Sequence, residues 1–453
     1  MVTKTNVIEP LLLYMVEART RSLPVEVAQK AKNHILDGIA SMVSGSALEP
    51  GRLATGYVRD IGGLPEATVI SSNIRTSVVN AALANGMLAH ADETDDSHGP
   101  SGTHPCCVVL PAALSVAERQ HASGLELLRA FVLGYDVGCR VMRVLGQPGN
   151  QNRKFSEKGT GGPFSASAAA SALLDLTPLQ IRYMFGYAAQ QSSGIRSYMM
   201  DESHVEKAFA FGGMPAQNGV AAAMMVNAGL TGEWDVFQGP YHNFFECFSP
   251  DPQPEELIRE LGERYEVMLT HIKKWSVGSP IQAAADALLA IIQQHDVKAK
   301  DVGRITVSMQ VGSLATVNDR NMPDVNLQYI MAAMLIDSTL TFAAAHDYER
   351  MSDPDVVAVK SKITVQPDST LLSGRQAVVE VTMADGNVHR HHARSVRGAP
   401  ENPMTTDEVE RKAMDLMEGE LGRERAEKVI ETVRNLDTLT DVTGLTDLLR
   451  KDE

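Results

Sequence analysis

Apolar residues recur at helical spacing through most of the first 260 or so positions. Pro24 opens a stretch in which Val27, Ala31, Ile35, Ile39 and Met42 fall on one face, the pattern of a helix with a proline in its first turn. The same period predicts helices at about 76–90, 106–120, 125–145, 164–174, 178–193 and 216–228. Gly62-Gly63, Gly99-Pro100, Pro148-Gly149, Gly161-Gly162-Pro163, Gly212-Gly213 and Gly229 read as breaks between them. Ala, Gly and Ser crowd these stretches and let backbones approach closely, so helices packed on helices are expected.

Near residue 270 the period changes. Stretches 304–311, 362–365 and 377–383 alternate like half-buried strands, and Asp385-Gly386 supplies a turn after the last. Helices at about 282–295 and 328–335 lie between them, while His389, His391 and His392 read as a solvated tract. From 405 to 449 helical spacing returns through Val409, Ala413, Leu416, Met417 and Leu421. The expected fold is mainly α with an α+β lid: a large all-helical domain formed by both chain ends (1–269 and 398–453), plus a smaller inserted α+β domain (270–397) covering a cleft.

Composition narrows the function. The 453 residues exceed one ordinary core. Lys and Arg total 41 against 56 Asp and Glu, and the net charge of −15 argues against nucleic acid or an anionic membrane as partner. It leaves an anionic substrate possible, because charges beyond about 10 Å are screened and a few local cations decide. No apolar run is long enough to span a membrane, and positions 1–13, with Lys4, Glu9 and Pro10, lack a signal-peptide pattern. A soluble, cytoplasmic protein is expected. Cys106, Cys107, Cys139 and Cys247 form no CxxC pair and read as reduced thiols, mostly buried.

The densest chemistry lies at 90–105, where three histidines, four carboxylates and four hydroxyls fall between apolar stretches 78–88 and 108–117. A helix running from 76 through Ser97 would put His90, Glu93 and Ser97 on one face. Gly99-Pro100 would end it, and Pro105 would restart a helix whose first N–H groups, beside Thr103 and His104, could receive a carboxylate. Three readings compete: a solvated acidic connector; a metal site drawn from His90, Asp92, Asp95, Asp96, His98 and His104; and metal-free acid–base chemistry with His104 as base. The apolar flanks oppose the first, since buried charges need partners. Elsewhere, Lys207 precedes a small-residue helix and Lys273-Lys274-Trp275 sits near the domain boundary; either lysine reads as an anion contact or as ordinary surface charge. Tyr329 is by default a core tyrosine.

Taken together, the 23–37 opening, Ala82-Leu83-Ala84-Asn85-Gly86, the 90–105 stretch, Pro111-Ala112-Ala113-Leu114, the Lys207…Gly213…Ala216…Gly219 segment, Gln328-Tyr329 and Pro403-Met404-Thr405 resemble the MmgE/PrpD family over essentially the full length. That family includes 2-methylcitrate dehydratases, cis-aconitate decarboxylases and iminodisuccinate epimerases. The resemblance implies a cofactor-free, metal-independent homodimer acting on a small polycarboxylate. It implies His104, Lys207, Glu93 and Ser97 as catalytic residues, and substrate contacts from Tyr329, Lys273, Thr103, Asp96, Gly161 and Gln282. Where many members carry Gly-aromatic-His-Pro, this chain reads Gly159-Thr160-Gly161-Gly162-Pro163. In the lid, Gly278 and Gln282 stand where polar or imidazole contacts are usual, and the two departures together imply a roomier and less basic pocket. The expected reaction is a lyase step at the carbon next to a carboxylate, with dehydration ahead of epimerisation or decarboxylation. A non-catalytic acid-binding helical protein and a metal-dependent hydrolase are the alternatives from other classes.

Overall fold

The chain is mainly α with a small α+β part. The fold is taken from a computed structural model that describes residues 6–146, 154–371 and 375–451. Pro148-Gly149, one of the expected breaks, lies outside the described residues. Two compact units emerge: Met1–Ala91 with Asp95–His271 and Thr406–Glu453, and Asp92–Thr94 with Ile272–Thr405.

In the first unit the long helices Val25–Gly45, Cys106–Gln120, Gly124–Val144 and Glu157–Leu173 bury most of their residues. The C-terminal helix Thr406–Leu421 packs on Val25–Gly45, where the buried Lys412 ammonium donates to Asp37 Oδ1 at 2.6 Å. Burial still pushes Asp37 up to about 6, against the pull of Lys412.

Two expected breaks are packing devices instead. Gly161-Gly162-Pro163 lies inside helix Glu157–Leu173, because Ser156 caps that helix early by accepting from Gly159 N. A Cβ on Gly161 would lie 2.4 Å from Met142 Cγ, and one on Gly162 2.5 Å from Pro215 Cβ. The glycines therefore admit neighbouring side chains and open no space, which corrects the roomier pocket expected there. Gly212-Gly213 closes a π-helical turn, Phe209–Gly213, that runs into helix Met214–Asn227. There Gly212 meets helix Val78–Ala89 backbone to backbone: a Cβ on Gly212 would stand 2.0 Å from Gly86 O, and one on Gly86 2.6 Å from Gly212 O.

The second unit holds a four-stranded sheet, ordered Ile363–Pro367, Val302–Met309, Ala377–Met383, Val388–Ala393, with its first pair parallel and the others antiparallel. Inward residues such as Ile305, Val307, Val379 and Val381 share one core with helices Gln282–His295 and Leu327–Asp337. The histidines expected in a solvated tract form its last strand, with Val379 opposite His391 and Val381 opposite His389, and His389 stacked on His295 at 3.9 Å. The strand lies at an edge, where polar and charged side chains are tolerated, so the pattern carried no apolar alternation.

The Gly86–Gly212 contact generates a prediction of opposite signs. Gly212→Ala should cost about 1–3 kcal/mol of unfolding free energy from overpacking. Gly56→Ala, inside helix Glu49–Ile61 with nothing within 4 Å of a new Cβ, should gain about 0.5–1 kcal/mol. Chemical denaturation of both variants measures the pair.

Candidate active site

Helix Val78–Ala89 stops at His90, and Ser97–His98 is a short strand paired antiparallel with Thr270–His271. His90, Glu93 and Ser97 therefore do not share a helix face. The reason is local: Asp92 accepts from Thr94 N at 3.0 Å and from Thr94 Oγ1 at 2.5 Å, offering the backbone a turn in competition with helix.

Asp95 and Asp96, side by side and both buried, divide two tasks. Asp96 Oδ2 accepts from Tyr135 Oη at 2.5 Å and lies 2.7 Å from His34 Nδ1, while Oδ1 accepts from Cys106 N at 3.0 Å. It ties together helices Val25–Gly45, Cys106–Gln120 and Gly124–Val144. This corrects two expectations: Asp96 is a structural clamp, and the first N–H of the helix after Pro105 is taken by the protein's own carboxylate. Asp95 instead holds two imidazoles, with His90 Nδ1 at 3.0 Å and His104 Nδ1 at 3.1 Å from Oδ1. Burial would raise its pKa, yet the charges and hydrogen bonds of His90 and His104 keep it well below the usual carboxylate range.

Phe211, brought in by the π-helical turn, is the floor of this cluster. His90 stacks on its ring at 4.2 Å with 14° between planes, and His104 makes a T-shaped contact with it at 5.2 Å. Lys207 Nζ lies over the ring 5.4 Å from the centroid, and Lys158 Nζ at 4.9 Å. Tyr198 approaches at 5.0 Å and nearly perpendicular, and His204, in the left-handed conformation at φ 62°, lies 5.3 Å from His90. His104 and Lys207, more than a hundred positions apart in the chain, thus converge on one aromatic ring. The lysine belongs to the short helix Val205–Ala208.

Other expected site residues have partners within their own unit. Thr103 Oγ1 lies 2.6 Å from Ser101 Oγ, which lies 2.7 Å from His98 Nδ1. Lys273 Nζ, buried, donates to Glu93 O at 2.8 Å and lies 3.4 Å from Glu93 Oε2. Tyr329 Oη donates to Ala344 O at 2.6 Å, the core-tyrosine role, and burial pushes its pKa up to about 12. The Gln282 amide spans the Trp275–Val277 turn, donating to Trp275 O at 2.7 Å and Val277 O at 2.9 Å and accepting from Trp275 N at 3.2 Å. It staples that turn in place of a substrate contact.

The metal reading also finds a geometric counterpart, since one donor atom each from His90, Asp95 and Cys107 lie within 4.8 Å of one another. Burial pushes the Cys107 thiol well above its usual range, and it donates to His104 O at 3.2 Å. All four cysteines are free, three of them buried and Cys247 exposed.

A family model for the MmgE/PrpD N-terminal domain matches residues 9–257, and one for the C-terminal domain matches 275–438. The chain belongs to the MmgE/PrpD family. Relatives within reach include the cis-aconitate decarboxylase-like protein oryM of Aspergillus oryzae, 28% identical over 98% of this chain and 97% of the relative. The cis-aconitate decarboxylases of Homo sapiens and Aspergillus terreus are 25% and 23% identical, covering 94% and 95% of this chain and 90% and 93% of their own lengths. Among the described residues, no helix is long and apolar enough to cross a membrane.

In the sequence Asp95 stands only among candidate metal ligands, and neither Phe211 nor Lys158 is singled out. The four-residue spacing from Lys207 to Phe211 is the signal available for the ring. For Lys158 there is none, because Gly161-Gly162-Pro163 reads as a break.

Asp92 supplies a pH test within the second unit. His346 Nε2 lies 2.9 Å from Asp92 Oδ2 and Nδ1 2.8 Å from Phe342 O. Burial opposes the imidazolium, yet Asp92 raises His346 to about 9, and the same pair lowers Asp92 against its own desolvation. The stabilisation from His346 is fully present below its unfolded value near 6.5 and is lost as pH rises through about 9. A wild-type advantage over His346→Gln of about 2–3 kcal/mol at pH 6, shrinking by pH 10, is expected from denaturation curves.

Proposed function

We propose that this protein is a lyase that acts at the carbon next to a carboxylate of a small polycarboxylate, and that its reaction is decarboxylation of an unsaturated tricarboxylate of the cis-aconitate type. The observation that carries the reading is the convergence of His104, held through Nδ1 by Asp95, and Lys207 on Phe211. Family membership and the cis-aconitate decarboxylase relatives support a lyase-type enzyme of carboxylic-acid metabolism.

In such a substrate, loss of carbon dioxide directly from an alkene carbon would leave an sp² carbanion with no conjugation. Loss from the saturated arm is easier. The C–C electron pair forms a new double bond, the old double bond shifts its pair to the far alkene carbon, and the charge spreads into the carboxylate there. A proton from His104 Nε2 then quenches that carbon, and solvent restores the imidazole proton. Lys207 stabilises the charge on the carboxylate oxygens as it develops, the contribution that matters most where water is excluded. Phe211 offers the departing carboxylate an apolar neighbour in place of water. The scheme needs one acid. Dehydration needs a second to protonate a leaving hydroxyl, and the hydroxyl proton of Tyr329 and the carboxylate of Glu93 already have partners in their own unit.

The expected outcome is release of carbon dioxide from cis-aconitate that survives chelators. Rates should fall about 10²–10⁴-fold in His104→Ala, and at least about 10²-fold in Asp95→Asn with circular dichroism unchanged. Wild-type turnover in His104→Ala would refute the assignment. A conjugated product formed from a hydroxy acid without carbon dioxide would replace decarboxylation with dehydration.

A further inference from the structure

The scheme above leaves Lys158 without a role. It stands in the first turn of helix Glu157–Leu173, its side chain only 17% exposed. Its Nζ lies 4.9 Å from the Phe211 centroid, while that of Lys207, from a separate helix, lies 5.4 Å from the same point. His90 is stacked in parallel on the ring, and Tyr198 and His104 make T-shaped contacts with it. The Glu157 carboxylate is 4.0 Å from Lys158 Nζ and is itself held by Arg196.

An aromatic face attracts each ammonium modestly, and two ammoniums at one small ring repel each other in a partly desolvated place. A ligand carrying two or more carboxylates relieves that repulsion. Two ammoniums, each this close to one centroid, fall within the span of a small polycarboxylate and its hydrogen bonds. We propose that Lys158 and Lys207 form a paired-ammonium site over Phe211 that takes two carboxylates of one substrate, Lys158 holding a carboxylate that does not react. The inference rests on the proposed function for the class of substrate, and is independent of which bond is broken. It also reverses the expectation of a less basic pocket: the positive charge enters one helical turn before Gly162, from a position the resemblance did not flag.

Calorimetry with tricarballylate, an unreactive tricarboxylate, tests the site without turnover. Lys158→Gln should bind at least about 10-fold more weakly than wild type, as expected for loss of a charge-assisted hydrogen bond, and Lys158→Arg should stay within about 3-fold. In turnover, Lys158→Gln should raise KM for cis-aconitate by a similar factor and leave kcat within about 3-fold. Lys158→Met, with a stem of comparable length, serves the same comparison if the glutamine variant fails to fold. Unchanged tricarballylate affinity in the neutral variants, or no binding by wild type, overturns the paired site. Binding by wild type without carbon dioxide release from cis-aconitate leaves the site standing and overturns the reaction instead.

Discussion

Two adjacent carboxylates buried in an apolar helical unit impose the constraint on which the rest depends. An ionised carboxylate away from water is tolerated only when its oxygens are fully engaged. Asp96 meets that requirement with Tyr135, His34 and the N–H of Cys106, and so fixes three helices around the start of the polar stretch. Asp95, one residue on the N-terminal side, meets it with the imidazoles of His90 and His104. With the helix contacts carried by Asp96, Asp95 is left to hold the His90 and His104 rings through Nδ1.

The second requirement is that a distant segment reach those imidazoles. Backbone contact between Gly86 and Gly212 lets helix Val78–Ala89 and the π-helical turn approach without side chains between them. That approach puts Phe211 flat against His90, and the four-residue offset carries Lys207 over the same ring. A π-helical turn is rare and frequent at functional sites, and here it carries Phe211, around which the cations and imidazoles gather.

Much of this was legible in the chain before the structure. The change of hydrophobic period near residue 270 and the return to helix after 405 gave the fold class, and the density of His, Asp and hydroxyl groups at 90–105 located the chemistry. What was hidden had physical causes. Gly161-Gly162-Pro163 looked like a loop because glycine and proline usually break helices, whereas here Met142 and Pro215 fill the missing volumes. The strand Val388–Ala393 carried no apolar alternation because it is an edge. Asp96, and not Asp95, read as a substrate contact, since nothing in sequence separates a carboxylate that clamps helices from one that holds two imidazoles. Tyr329 and Gln282 looked available for substrate because a side chain's partners, here Ala344 O and the Trp275–Val277 backbone, come from tertiary placement.

In the proposed reaction His104 delivers one proton, from one side, to the carbon next to a substrate carboxylate. Turnover of cis-aconitate in heavy water, followed by NMR analysis of the product, records that delivery. A single deuterium at that carbon in one configuration is expected. A label spread over both configurations would mean that solvent quenches the carbanion after release, and would contradict it.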